Sequence, residues 1–293
     1  MVGMTKKGKN MKILLTGANG QLGVTLQDVL REHDLILTDR DELDITDEQG
    51  CLEFVVEQKP DIIINAAAYT AVDQAEEEVD LARKINADGP RNLVVAAKAV
   101  DALFFQISTD FVFDGKKGTS YTESDEPNPL NKYGLTKLEG EKAVEEAGEK
   151  YFTLRTAWLY SPYGKNFVKT FIKLGHEKSE LTVVADEIGC PTYAYDLANA
   201  IKYIIDNNIT KYGLYHFAGT GQASWFEFAK EIVAMSGGTA NILPTTAKEY
   251  GLPAKRPAYS VLDCSKIESL GVKTRPWKES LKECIEKLKV ESL

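Results

Sequence analysis

Residues 12–23 read Lys-Ile-Leu-Leu-Thr-Gly-Ala-Asn-Gly-Gln-Leu-Gly, an apolar run that ends in glycines at 17, 20 and 23. Read as a strand that turns directly into a helix, this stretch leaves few folds open. Glycines at such a point permit a tight turn, let the backbone come close to a pyrophosphate and bring helix close to strand, while the amides at the helix N-terminus hold the anion. A Gly-x-x-Gly-x-x-Gly spacing elsewhere in a chain is only a turn. Between a strand and a helix at the start of a domain it predicts dinucleotide binding, with Gly17, Asn19, Gly20, Gln21, Leu22 and Gly23 at the cofactor.

The rest of the first half agrees. Apolar runs at 35–39, 61–68, 102–108 and 151–160 alternate with helix-type periodicity over 21–31, 47–58, 81–98 and 131–147, the last opening at an Asn131 cap. Short, nearly continuous apolar strands alternating with helices indicate a parallel sheet covered on both faces. The expected fold class is therefore α/β, a Rossmann-type doubly wound parallel sheet over residues 12–160. After residue 160 the alternation fades into FVKTFIKLGHE, a short LTVV strand and helices at YDLANAIKYIIDN and SWFEFAKEIVAMSG. Residues 161–293 are expected to form mainly a smaller C-terminal mixed α/β substrate domain, with some segments returning to the Rossmann core. The final WKESLKECIEKLKV packs Leu281, Cys284, Ile285 and Leu288 onto the body. A chain of 293 residues, 43% hydrophobic, can supply both cores.

Charge and cysteine usage exclude several function classes. With 44 Asp+Glu against 35 Lys+Arg the net charge is -9, which offers no long-range attraction to nucleic acid or an anionic membrane. Any anionic substrate must be met by local cations. No apolar stretch approaches a membrane span, and the basic opening MVGMTKKGKN lacks the apolar core of a signal peptide. The expected compartment is the cytoplasm, and residues 1–11 read as a disordered tail or an expression remnant. Cys51, Cys190, Cys264 and Cys284 show neither a C-x-x-C pair nor a secreted-domain framework, so neither disulfides nor zinc are expected. His33, His176 and His216 are isolated and read as structural.

Asp39 closes the second strand 22 residues after Gly17, where an acidic side chain accepts hydrogen bonds from the adenosine ribose hydroxyls. Arg40, beside it, can pair with the 2′-phosphate of NADPH, so NADH and NADPH both fit the sequence. Asp44 and Ile45 would wall the adenine side. Tyr133 and Lys137 stand four apart on the 131–147 helix and project from one face. A nearby ammonium stabilises phenolate and is expected to lower the Tyr133 pKa from its reference near ~10, so that it gives or takes a proton near neutrality. A lone Tyr-x-x-x-Lys is weak, but Ser108-Thr109-Asp110 closes the ALFFQIS strand at its carboxyl end, where open α/β sheets place their ligands. Thr109 can hold a substrate carbonyl oxygen beside the phenol while Lys137 also reaches the nicotinamide ribose.

Together T-G-x-x-G-x-x-G, N-A-A-A-Y-T-A-V-D at 65–73, I-N-A at 85–87, S-T-D-F-V-F-D-G at 108–115, Y-G-L-T-K at 133–137, R-T-A-W-L-Y at 155–160 and G-C-P-T at 189–192 resemble the dTDP-4-dehydrorhamnose reductases of the extended short-chain dehydrogenase/reductase superfamily, from Met11 nearly to the C-terminus. The resemblance implies that Gly20, Gln21, Leu22, Asp39, Asp44, Ile45, Ala66, Ala67, Ala68 and Thr70 line the cofactor, with Tyr133 and Lys137 also touching it. It places Thr109, Asp110 and Trp158 at the sugar, has Asn86 support Lys137 through water, and makes Arg256 a candidate diphosphate contact. The implied reaction is hydride delivery to the 4-keto carbon of a nucleotide-linked deoxysugar, with Tyr133 as acid, Lys137 tuning it and Thr109 positioning the oxygen. Such an enzyme works as a monomer or homodimer. Some of these reductases bind magnesium at a dimer contact through glutamates, and one of those positions is Thr25 here, so no metal is expected.

Three rivals share parts of this pattern. A sugar-nucleotide 4,6-dehydratase follows its Thr with Asp-Glu, whereas Asp110 is followed by Phe111. A nucleotide-sugar epimerase needs no extra acid and would retain NAD tightly. A non-catalytic NADP-binding subunit, like the beta subunit of methionine adenosyltransferase, would not need the intact Thr109, Tyr133 and Lys137.

Overall fold

The structure is a computed structural model and describes residues 10–291. Of the tail expected at 1–11, all but Asn10 and Met11 lies outside the described residues. The first half runs β1 (Lys12–Thr16), α1 (Gln21–Val29), β2 (Asp34–Thr38), α2 (Glu48–Gln58), β3 (Ile62–Asn65), α3 (Val79–Arg83), α4 (Gly89–Ala99), β4 (Leu103–Thr109), α5 (Lys132–Ala147) and β5 (Tyr151–Thr156). There follow β6 (Leu159–Tyr160), α6 (Phe167–Glu177), β7 (Glu180–Val184), β8 (Ile188–Gly189), β9 (Thr192–Tyr193), α7 (Ala194–Asp206), β10 (Gly213–His216) and β11 (Ala223–Ser224). The chain closes with α8 (Trp225–Ser236), β12 (Asn241–Thr245), α9 (Ala247–Tyr250), α10 (Ser265–Glu268) and α11 (Trp277–Glu291).

Alternate side chains of a strand point to opposite faces, and here both faces are apolar. Ile13, Leu15, Ile62, Ile64, Phe105 and Phe152 meet α1 and α7 on one side, while Leu14, Ile63 and Phe104 meet α2 and α4 on the other. This is why the strand sequences read as unbroken apolar runs. The six main strands are all parallel, in the order β2-β1-β3-β4-β5-β10. The order reverses between β1 and β3, and a crevice outside the carboxyl ends of the strands opens at that point. β10 and α7, both beyond residue 160, belong to this sheet and its helical cover. A second core of aromatic residues, including Tyr160, Tyr193, Phe228 and Trp277, gathers α6, α8 and α11.

Three elements differ from the sequence expectation. The helix expected over 81–98 is interrupted by a π-turn at Lys84–Asp88. The apolar run 61–68 leaves the sheet after Asn65, so Ala66–Ala68 form a crevice wall. The run 151–160 breaks at Trp158, whose φ of +48° is left-handed and costs a bulky residue about 1–3 kcal/mol. No helix among the described residues is long and apolar enough to cross a membrane.

Candidate active site

The glycine turn is built by close approach. Gly17 has φ +65°, and a Cβ there would lie 2.6 Å from the Ala67 backbone nitrogen, so β1 and the segment after β3 meet only across glycine. Gly23 packs on the Gly17 carbonyl from within α1. It lines no cavity, and is the one assigned cofactor residue whose part is to close the turn. α1 begins at Gly20 with no side-chain cap and no acidic residue in its first turn, leaving its first amides free for an anion. Beneath the turn, Thr16 Oγ1 donates to Asn65 Oδ1 at 2.7 Å, Asn65 Nδ2 to Gln106 Oε1 at 2.8 Å, and Gln106 Nε2 to the Ile107 carbonyl at 2.9 Å. This buried chain fixes the ends of β1, β3 and β4. Neither Asn65 nor Gln106 stood out as functional in the sequence.

α5 is docked by two further glycines. A Cβ on Gly134 would fall 2.1 Å from the Phe111 carbonyl oxygen, and one on Gly140 2.0 Å from that of Asn86. The first contact brings Tyr133 against the turn after β4, its ring edge-on to Phe111 at 5.8 Å. Asn131 caps the helix by accepting from the Gly134 amide at 2.7 Å. The second contact seats α5 on the π-turn. There Asn86 is occupied with the Tyr69 backbone, at 2.9 and 3.0 Å, and the Thr136 hydroxyl at 3.2 Å.

Two adjoining cavities share Gly20 and Ala66–Ala68. The inner one, about 450 Å³, is lined by Asn19, Gln21, Leu22, Thr70, Thr109, Tyr133, Lys137, Thr156, Trp158 and Lys165 among others. The outer, about 290 Å³, is lined by Gly17, Asp39, Arg40, Leu43, Asp44, Ile45, Lys84 and Ile85 among others. The structure thus gathers the assigned glycine turn, acidic strand end, Thr109, Tyr133 and Lys137 along one cleft. Lys84 and Lys165 are cations on its wall that the sequence did not single out, since nothing in their local pattern separates them from other surface lysines. Buried Gln21 Oε1 and Thr156 Oγ1 on the same wall have no hydrogen-bond partner, as a cleft that receives polar groups requires. An uncapped helix start, an acidic residue at the ribose position and these orphaned oxygens fit a dinucleotide.

Asp110, expected at the sugar, and Arg256, expected at the diphosphate, do not line the cleft. The Asp110 carboxylate is turned inward, taking the Ser260 hydroxyl at 2.5 Å and the Thr109 hydroxyl at 3.1 Å, because a buried carboxylate needs partners. Arg256 pairs with Asp73, Nη2 to Oδ2 at 2.8 Å, joining the segment after α9 to the loop after β3. Trp158 does face the cleft, its indole stacked on Trp225 at 3.5 Å and backed by Gly189. Thr25 is buried and donates its hydroxyl to the Gln21 carbonyl at 2.7 Å. Glu32, His33 and Asp206 form an acidic grouping that already holds the Lys202 ammonium. No disulfide joins the four cysteines, and burial, with the Arg155 guanidinium beside it, pushes His216 down to about 3.

The phenol differs from expectation. Burial pushes Tyr133 up to about 12, opposed by a hydrogen bond from Thr109, and Lys137 does not pull it down. Lys137 is buried too, which pushes it down to about 8 against the pull of Glu141. Its ammonium is held on the Ile107 carbonyl at 2.6 Å. The cleft therefore presents a phenol that keeps its proton at neutrality.

A family model described as the RmlD substrate binding domain matches residues 11–290. A curated dTDP-4-dehydrorhamnose reductase from Aggregatibacter actinomycetemcomitans is 40% identical over 285 residues, covering 92% of this chain and 97% of that one. A crystal structure of a dTDP-4-dehydrorhamnose reductase from Clostridium acetobutylicum superposes with a TM-score of 0.92 at 50% identity, covering 95% of this chain and all, 100%, of that one. Another, from Bacillus anthracis in complex with NADP, has a TM-score of 0.92 at 45% identity over 95% of this chain and 100% of its own.

Proposed function

This chain belongs to the RmlD substrate-binding-domain family, and from that premise we propose that it is an NADPH-dependent oxidoreductase that reduces the 4-keto group of dTDP-4-dehydrorhamnose to give dTDP-rhamnose, a step of nucleotide-sugar biosynthesis. The observation that carries this reading is that Thr109, Tyr133 and Lys137 line the same cleft as the uncapped glycine turn. When bound there, the nicotinamide supplies the hydride. Gly17–Leu22 and the α1 amides would hold its pyrophosphate, Asp39 the adenosine ribose, and Arg40 the extra phosphate of NADPH. NADH also fits the Asp39 carboxylate.

The remaining steps fall to this chain's side chains. Thr109 holds the ketone oxygen beside Tyr133, and Tyr133 donates its proton as that oxygen becomes an alkoxide. Lys137 steadies both the phenol and the ribose. Trp158, fixed between Gly189 and Trp225, presents its face to the sugar. The segment after residue 160 supplies much of the sugar side, in a cytoplasmic protein working as a monomer or homodimer and without a metal. Loss of NADPH absorbance on adding dTDP-4-dehydrorhamnose, with dTDP-rhamnose as product, is the expected result. No turnover with this sugar, against turnover of another nucleotide 4-ketosugar, would move the assignment to that substrate.

A further inference from the structure

Lys137 is 4% exposed, and burial works against its charge. The group that opposes this burial is Glu141, one helical turn further along α5. Glu141 is itself buried and is held from two strands. From β5, Arg155 donates Nε to Oε1 at 2.9 Å and Nη2 to Oε2 at 2.6 Å. From β4, the Ser108 hydroxyl donates to Oε1. Ser108 lies between Ile107, whose carbonyl takes the Lys137 ammonium, and Thr109. A single carboxylate thus connects the strand that carries Thr109, the helix that carries Tyr133 and Lys137, and β5.

Such a pair is a poor choice for stability alone, because well-packed apolar residues of similar volume commonly do as well or better. Several of the other charged groups on elements packed against α5 have their own surroundings. Asp110 bonds Ser260 and Thr109, Arg83 pairs with Glu139, Glu76 takes the Lys132 amide, and Lys84 lines the outer cavity. We infer that Glu141, tied by Arg155 and Ser108 to the two strands beside the Ile107 carbonyl that takes the Lys137 ammonium, is a positioning residue that sets a fixed negative charge one helical turn from Lys137. The inference rests on the reading of Lys137 as the partner of Tyr133 and of the cofactor ribose.

The test is competitive acylation of Lys137 by a small anhydride across a pH series, read by peptide mass spectrometry, which needs no turnover. In Glu141→Gln the midpoint of the labelling curve should fall by about one pH unit, a roughly tenfold gain in free amine below it. Because that variant leaves Arg155 uncompensated, the double variant Glu141→Met, Arg155→Met provides the same measurement in a packed, uncharged background, and should also fall. Ser108→Ala keeps both charges and should leave the midpoint within a few tenths of a unit, roughly a twofold change. Curves that overlay the wild type in both Glu141 variants, or a Ser108→Ala shift as large as theirs, would overturn the inference. The alkaline limb of the kcat/KM profile should move with the midpoint. A wild type without turnover would remove the reductase reading and leave the labelling result to decide the role of Glu141.

Discussion

Replacing Asp110 by Asn should change stability in a way that depends on pH with a definite sign. Asp110 is 2% exposed, and burial raises its carboxyl from 3.8 to about 7 against the hydroxyls of Ser260 and Thr109. Below the lower value both folded and unfolded chains carry the proton, and burial brings no ionisation cost. Between the two values the unfolded chain releases its proton while the folded one keeps it, so stability falls as pH rises. Above about pH 7 the full cost remains, about three units, on the order of 4 kcal/mol. Asp110→Asn removes that cost. It also loses an acceptor, since the amide oxygen can keep one hydroxyl while its NH₂ must donate to the other, at a cost of about 1 kcal/mol. The variant should therefore be about 3 kcal/mol more stable than wild type near pH 8, and slightly less stable near pH 4. For a chain of this size that is a rise in Tm of about 5–10 °C at the alkaline end. Thermal unfolding of both proteins across this range should give curves that cross. Parallel curves, with one constant offset at every pH, would refute the reasoning.

The remaining expectations concern the cleft. Tyr133→Phe should lower kcat by about 10²–10⁴-fold while NADPH binding, measured by fluorescence titration, is retained; near-normal turnover would remove Tyr133 as the acid. Arg40→Ala and Lys84→Ala should each weaken NADPH by about tenfold and NADH hardly at all, because only NADPH offers a 2′-phosphate to these cations on the outer cavity. Equal loss for both cofactors would assign them another task. Activity should survive EDTA, and added magnesium should leave the oligomeric state seen in sedimentation unchanged, since the Thr25 hydroxyl is bound to a helix carbonyl. Loss of activity on chelation, restored by magnesium, would show carboxylates elsewhere forming a site.

The sequence made legible what depends on local pattern. Ile62–Asn65 and Leu103–Thr109 were visible as strands because both their faces are buried, and the glycine turn because only glycine allows Gly17 to approach Ala67. Tyr133 and Lys137 are legible through their one-turn spacing taken together with Thr109 at the end of β4. Contacts set by the tertiary fold were not visible. β10 is four residues long and lies far from its partner β5 in the chain, so no periodicity announces it. The π-turn at 84–88 is shaped by α5 pressing Gly140 on Asn86, a contact between segments over fifty positions apart. The family resemblance places Asp110 at the sugar and Arg256 at the diphosphate, but each has a distant partner, Ser260 and Asp73, that no local pattern announces.

Burial acts on the three ionisable groups around Thr109 in the same sense, favouring the neutral form of each. It raises Tyr133 to about 12 and Asp110 to about 7, and lowers Lys137 to about 8. For a phenol this means that the proton is present when a ketone oxygen beside Thr109 begins to gather charge. The opposite direction of catalysis, removal of a proton from an alcohol, needs the phenolate that burial disfavours. Burial also favours loss of the charge on Lys137, which it lowers to about 8. The Glu141 carboxylate, anchored by Arg155 outside the cleft wall, acts against that loss. In the proposed reaction, the lysine beside the proton-donating Tyr133 thus owes part of its charge to a carboxylate that does not line the cleft.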